Sequence, residues 1–458
     1  MNPNIPATRR KRVVIIGGGF GGLKLTDQLR HSDFQIVLLD RTNYHQFQPL
    51  LYQVATAGLN AGSIAFPFRK DFRHLTDFHF RMTEVTRILP ENNEVETTIG
   101  VISYDYLVIA AGTTTNYYGM QNIQRYAMPM KTVTEATALR TQLLINFENA
   151  LITEDPAKRQ RLLNIAIIGG GATGVEISGA LAEMKRYVLQ KDYPELSSTL
   201  LNIYLIEGTD KLLGNMSEKA SAKALEFLIN MGVRIMLNTR VTDYQDGAIV
   251  FENGTTLPAK TVIWVSGVTA NRFTGIPQES IGHGGRLLTD EFNRVKGLYN
   301  VFAIGDICLQ TESSYPKGYP QVAQVAIQQG KLLARNLQRL KKQDIPEPFH
   351  YHDKGTLATV GRNKAVADLP HYHSQGFIAW LLWMVVHLRS ILGVRNRLEI
   401  LLNWMWNYLT YDQAIRLIFK DFIQRQSPKA SPIPPNNEPV KTKESRLPSP
   451  ESERQDRT

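Results

Sequence analysis

Short runs of β-branched and aliphatic residues alternate with amphipathic stretches along most of the chain, the pattern of a doubly wound α/β protein. Two runs, at Val13–Ile16 and from Ile165, feed directly into glycines and then into a helical pattern. Further buried strands are predicted at Gln35–Leu39, within Tyr104–Thr113, at Asn202–Ile206, at Thr261–Val265 and within Tyr299–Asp306. A helix is expected from about Phe20 and another near Tyr319–Leu340. The polar stretch 151–161, with Pro156, predicts a hinge, and Arg186–Thr199 predicts an insertion.

The two glycine runs, GGGFGG and GGGATG, carry one fingerprint. Gly17 and Gly169 are placed for the strand-to-helix turn, and Gly19 and Gly171 for close approach of a pyrophosphate. Gly22 and Gly174 are placed for helix–strand packing. Unpaired amides at the following helix N-terminus suit a phosphate. An acid closing the second strand suits a ribose diol. Asp40 follows Gly17 at about the expected interval of roughly 20 residues. Glu207 lies farther from Gly169, the excess being the insertion, and it favours NADH by repelling a 2′-phosphate. Gly18, Phe20, Gly21, Arg41 and Gly112 complete the first candidate site, and Gly170, Thr173 and Gly267 the second.

Composition narrows the chemistry. A formal charge of +10 over 458 residues suits anionic cofactors or an anionic membrane surface, and no nucleic-acid-binding pattern accompanies it. The single cysteine, Cys308, excludes a paired-thiol redox centre and reads as a small core residue. No metal site is predicted.

A nucleotide domain interrupted by a second one and resumed at AIGD resembles the two-dinucleotide flavoproteins of the glutathione-reductase superfamily. That resemblance implies FAD in the first site, NAD(P)H in the second, and Gly305–Asp306 beside the flavin's ribityl-phosphate region. Asp306 equally serves as an ordinary helix N-cap. The segments NYHQFQPLLYQVATAGL, GGGATGVEISGALAEM, AQVAIQQG and the aromatic stretch Gly376–Ile418 are similar to type II NADH:quinone oxidoreductases, the single-subunit, non-pumping enzymes. The resemblance implies that Glu176 lies near the flavin, between the nicotinamide and quinone sites. It also implies that Gln324 meets the quinone headgroup and that Lys364 stands at the quinone entrance. Asp40 departs slightly from the family, where glutamate is common. A flavin reductase for a soluble acceptor, or a membrane-docked NADH/NAD sensor, remains open on the residues alone.

The expected architecture is therefore α/β: two Rossmann-like nucleotide-binding domains plus a C-terminal amphipathic helical membrane-anchoring module. The chain divides into a flexible arm (1–10), an FAD-binding domain (11–155 and 286–345) and an NADH-binding domain (156–285). The C-terminal module spans 346–426, followed by a disordered tail (427–458). Phe377–Val386 is apolar but, at about 15 Å of helix, covers half a bilayer. Arg389, Arg395 and Arg397 are placed in a connector, and Glu399, Asn403 and Asn407 form one polar stripe on Leu398–Leu409. Four of the five tryptophans (Trp380, Trp383, Trp404 and Trp406) fall in this module, as at a membrane interface. Peripheral attachment through 376–418 to anionic lipid is expected, on the cytoplasmic face of the cell membrane or on an internal energy-transducing membrane. A homodimer sharing the aromatic foot is a further expectation.

Overall fold

A computed structural model of the chain describes residues 2–411 and 415–418; the predicted tail, 427–458, lies outside them. The two fingerprints open two parallel sheets of five strands. In the first, Lys11–Ile16 lies between Phe34–Asp40 and Tyr106–Ile109, with Phe78–Met82 and Val301–Ala303 at the edges. In the second, Asn164–Ile168 lies between Asn202–Ile206 and Thr261–Trp264, flanked by Arg234–Met236 and Met128–Pro129. The fingerprint strand is therefore the switch point of each sheet, where loops at the carboxyl ends leave a crevice. Strands buried on both faces need continuous apolar runs, and Val13, Val14, Ile15, Ile165, Ala166 and Ile167 are all fully buried.

Sheet membership moves the predicted domain limits. Met128–Pro129 already pairs within the second sheet, so that unit begins near 128 rather than 156. Val268–Ala270 pairs with Thr113–Thr115, and Ile88 bonds to Thr274, so the return starts before 286. The expected hinge is helix: Asp155 caps Pro156–Leu163, with Pro156 at the first helical position, where its missing N–H costs nothing. The arm is not free either. Arg81 and Arg12 donate to the carbonyls of Pro3, Asn4 and Pro6, and Ile5 packs against a buried cluster. The predicted Tyr319–Leu340 helix spans Ala323–Lys341, starting beyond Pro320. The insertion begins as a continuation of the preceding helix through Lys185–Leu189 and Gln190–Asp192.

The C-terminal module is a three-stranded antiparallel sheet, Thr356–Gly361, Lys364–Leu369 and Tyr372–Gln375, followed by helices Phe377–Ser390 and Val394–Thr410. Only residues 391–393 connect the helices, so Arg389 closes the first and Arg395 and Arg397 open the second. Among the described residues no helix is long and apolar enough to cross a membrane.

The last helix is amphipathic in the reverse sense. Its polar stripe faces the protein: Glu399 accepts from Ser63 Oγ at 2.5 Å, and Asn407 donates to the Gly58 carbonyl at 3.2 Å. Leu398, Leu402, Met405, Trp406 and Leu409 face outward, beside Phe377, Ile378, Leu381 and Val385 of the preceding helix. The tryptophans do not all join that face, contrary to expectation. Trp383 is core, Trp380 and Trp404 are half-buried, and only Trp406 is largely exposed.

The module docks where the helix Ala172–Met184 touches Thr356–Gly361. A Cβ added at Gly179 would stand 1.6 Å from the Val360 carbonyl oxygen. Backbone on both sides leaves no room for adjustment. Gly179→Ala should therefore cost at least about 1–3 kcal/mol. Hydrogen exchange should show protection lost first in 356–411; uniform loss across both nucleotide sheets would contradict this docking role.

Candidate functional site

Both fingerprint loops have the geometry their glycines predict. Gly17 and Gly169 have φ of +98° and +117°, a region that L side chains avoid. A Cβ at Gly22 or Gly174 would lie 1.9 Å from the carbonyl oxygen of Gly17 or Gly169, so neither position admits a side chain. A Cβ at Gly19 or Gly171 meets nothing within 4 Å. That open space over each helix N-terminus is where a pyrophosphate can approach backbone amides. The two acids are also equivalent. Asp40 accepts from the Gly18 amide at 2.7 Å, and Glu207 from the Gly170 amide at 2.6 Å. Each also accepts from a threonine two residues on, Thr42 and Thr209.

The first loop opens into a cleft with about 2070 Å³ of empty space, continuous with solvent. Gly17, Gly18, Gly19, Phe20, Gly21, Asp40, Arg41, Gly112, Thr173, Gly267, Gly305 and Asp306 all line it. Gly22 and the loop Gly169–Gly171, with Gly174 and Glu207, lie outside that lining. Lys131 and His45 belong to the cleft but were not anticipated. Lys131 Nζ donates to Thr113 Oγ1 at 2.5 Å, and burial lowers its pKa while Asp306 and Glu135 oppose the shift. Asp306 is raised by burial, with Lys131 and Arg286 pulling it down. His45 Nδ1 bonds the Gly18 carbonyl at 2.9 Å, and burial lowers the ring's pKa, opposed by that bond and by Asp40. The buried Gln329 amide accepts from the Gly305 N–H at 2.7 Å and so fixes the AIGD turn. Its signal, a polar residue among the apolar positions of a helix, was in the sequence.

A second, smaller cavity of about 890 Å³ of empty space lies between the Ala172–Met184 helix, strand Thr356–Gly361 and the two C-terminal helices. Tyr52 and Glu176 line both cavities. The smaller one is walled by Trp380, Trp383, Trp404, Tyr187, Tyr408 and Tyr411, with Glu183 and Arg362 as its further charged residues. An aromatic chamber thus meets a nucleotide-type cleft at one carboxyl and one phenol.

Comparison with known proteins follows this division. The pyridine nucleotide-disulphide oxidoreductase family pattern matches residues 11–330, and the NDH2 C-terminal domain pattern matches residues 353–411. The type II NADH:quinone oxidoreductase Ndh of Mycobacterium tuberculosis is 35% identical over 423 residues, covering 89% of this chain and 90% of that protein. The chain belongs to the type II NADH:quinone oxidoreductases. A Haemophilus influenzae member is 30% identical, over 78% of this chain and 87% of its own. The fold matches a structure of NDH2 from Plasmodium falciparum in complex with NADH, with a TM-score of 0.82 at 21% identity. That match covers 90% of this chain and 100% of the other.

Within this type II framework, Glu176 lies at the meeting of the two cavities. Burial pushes its carboxyl up to about 8, opposed by the Thr359 amide and the Trp383 indole. The indole N–H makes no hydrogen bond of ordinary geometry. His387 lines the larger cleft, stacked on Trp383 at 4.1 Å, and burial lowers it to about 4.

The two residues that the resemblance implies for the quinone stand outside both linings. Gln324 lines neither cavity: its Nε2 donates to the Gly355 carbonyl at 3.1 Å and its Oε1 accepts from the Lys354 amide at 3.1 Å. Both ends of the amide are occupied by a turn of the C-terminal module. Lys364 also lies outside the lining, and the basic wall residue is Arg362. Arg362 donates to the Asn407 and Tyr408 carbonyls at the end of the last helix, with its guanidinium 3.6 Å from the Tyr411 ring. Cys308 is buried, as its composition-level reading requires.

The raised Glu176 has a signature in stability. In the unfolded chain a glutamate ionises near 4.5, whereas here it does so near 8. Between those values the unfolded state binds fewer protons, so stability falls as pH rises. Glu176→Gln removes that loss. Its stability relative to the unmodified protein should increase from pH 4.5 to 8 and level off above. Denaturant titrations at several pH values check this; a difference independent of pH would show a carboxyl that is not raised.

Proposed function

We propose that this chain is a peripheral membrane enzyme that takes a hydride from NADH through FAD and passes two electrons to a membrane quinone. The observation that carries the reading is the meeting of a nucleotide cleft and an aromatic chamber at Tyr52 and Glu176. The open space at Gly19, the diol acceptor Asp40 and the carboxyl of Asp306 fit the pyrophosphate, ribose and ribityl parts of FAD. When bound there, a flavin would supply the two-electron carrier chemistry between NADH and quinone, while these residues would hold and orient it.

NADH is assigned to the second fingerprint, with the pyrophosphate over Gly171 and the ribose at Glu207. Thr173 and Gly267 stand where that site opens toward the first. Glu176 is the residue between the two half-reactions. Protonated at neutral pH, it can orient the nicotinamide amide or hold a proton for the reduced quinone. The aromatic chamber takes the quinone, with Arg362 and Tyr411 at the end of the last helix. Gln324, with its amide already paired, braces the turn at Lys354–Gly355 instead.

Lipid is the solvent for the outward apolar face of the last two helices. Helices that expose leucines while turning asparagines inward are poorly matched to water but well matched to an acyl layer. Arg389, Arg395 and Arg397 border that face and suit anionic headgroups on the side where NADH is supplied. A homodimer built on the same face would hide it from lipid.

Glu207 predicts a preference for NADH over NADPH. Glu207→Gln removes the repulsion of a 2′-phosphate and should raise kcat/KM for NADPH by about tenfold. Equal efficiency with both nucleotides in the unmodified enzyme would refute the assignment.

Leu402→Glu with Leu409→Glu places two charges on the outward face without disturbing buried contacts. Flotation with vesicles containing anionic lipid should be lost, and reduction of a long-chain quinone in those vesicles should fall at least about tenfold. Flavin reduction by NADH should stay unchanged. A variant that still floats would place the anchor elsewhere, and one that becomes monomeric from a dimer would mark the face as an interface between copies.

A further inference from the structure

A short hydrogen-bond chain runs from the last helix to the junction of the two cavities. The Trp404 indole N–H donates to Gln53 Oε1 at 2.9 Å, and Gln53 Nε2 donates to the Tyr52 hydroxyl oxygen at 2.9 Å. An indole nitrogen can only donate, so the amide oxygen must face Trp404 and the amide nitrogen must face Tyr52. The phenol oxygen is thereby an acceptor from Gln53, and its own proton is left for another partner. Among the described residues the Tyr52 hydroxyl donates to nothing, although the side chain is buried and lines both cavities. Burial, reinforced by Glu176, holds this phenol well above its ordinary value, so it remains an O–H group throughout the working pH range.

We propose that Tyr52 is a catalytic hydrogen-bond donor to a carbonyl oxygen of the quinone, aimed into the aromatic chamber by the Trp404–Gln53 pair. The inference rests on the reading of that chamber as the quinone site. Quinone takes up two electrons and two protons to become quinol, and Tyr52 supplies none of these. Its O–H stabilises the negative charge that gathers on the carbonyl oxygen as electrons arrive. Gln53 and Trp404 are positioning residues, and through Trp404 the direction of the donor depends on the helix whose other face meets lipid.

Two variants test the chain in the full-length, flavin-loaded enzyme. Tyr52→Phe removes the donor. Gln53→Glu keeps an acceptor for Trp404 but cannot donate to Tyr52, so the phenol proton turns back toward the new carboxylate. Stopped-flow traces follow flavin reduction by NADH and reoxidation by a short-chain 1,4-benzoquinone. Quenching of tryptophan emission by the same quinone reports occupancy of the chamber, since Trp380, Trp383 and Trp404 line it. Both variants should lower the limiting reoxidation rate by about 10- to 100-fold, the range expected for one hydrogen bond to a charged oxygen. Half-saturation should stay within about threefold and flavin reduction within about twofold, a split that a general loss of structure would not give. The double variant should be no slower than the slower single one, because the two act on one proton. Reoxidation at the unmodified rate in Tyr52→Phe would overturn the proposal, and the same result in Gln53→Glu alone would overturn the positioning chain. If the quinone leaves tryptophan emission of the unmodified enzyme unquenched, the chamber reading falls and this inference with it. Quenching with unmodified rates in both variants overturns the inference alone.

Discussion

The backbone of the Ala172–Met184 helix and that of the Thr356–Gly361 strand approach so closely at Gly179 that a methyl group cannot fit between them. Glu176, Ala180 and Glu183 lie within one turn of that contact on the same side of the helix, and all three line the chamber. The strand lays its Thr359 amide toward Glu176 and its Arg362 amide toward Glu183. One glycine thus brings a nucleotide domain and a C-terminal module near enough to bury two carboxylates between them. Burial then sets the chemistry, since the low-dielectric surroundings that raise Glu176 also strengthen every hydrogen bond aimed into the chamber.

The same helix joins the two cavities. Its N-terminus carries the second fingerprint, its Thr173 reaches the larger cleft, and its middle forms a wall of the smaller one. A rigid element holding both sites gives better-defined geometry than two loops would. The two fingerprints show parallel economy. In each, the strand-ending acid accepts an amide from its own glycine loop and so helps to fix the loop's shape.

The last helix reverses the ordinary amphipathic rule because its two faces meet unusual surroundings. On the inside it lies against backbone carbonyls at Gly58 and Ser63, which demand donors, and Asn407 and Asn396 supply them. Trp404 joins them by donating to Gln53. On the outside, leucines, a methionine and a tryptophan face outward. One helix thus presents an apolar face outward and lines the aromatic chamber with the other.

Several features were legible in the sequence because they are local. A β-branched run followed by glycines at fixed intervals constrains only neighbouring φ, ψ and packing, so both fingerprints, their acids and the strands around them can be read directly. The apolar foot and its failure to span a membrane depend only on helix length and composition. Tertiary structure decided whatever depends on partners far along the chain. Gln324 belongs to a motif of the resemblance, yet its side chain is bound to a turn some thirty residues on. The polar stripe of Glu399, Asn403 and Asn407 was visible, but its direction was set by a hydroxyl donor at Ser63 and a carbonyl acceptor at Gly58. The early start of the second sheet was fixed by pairing of Met128–Pro129 with Ile263–Trp264, across more than a hundred residues. Periodicity reveals which residues share a face; only the packed chain determines what that face meets.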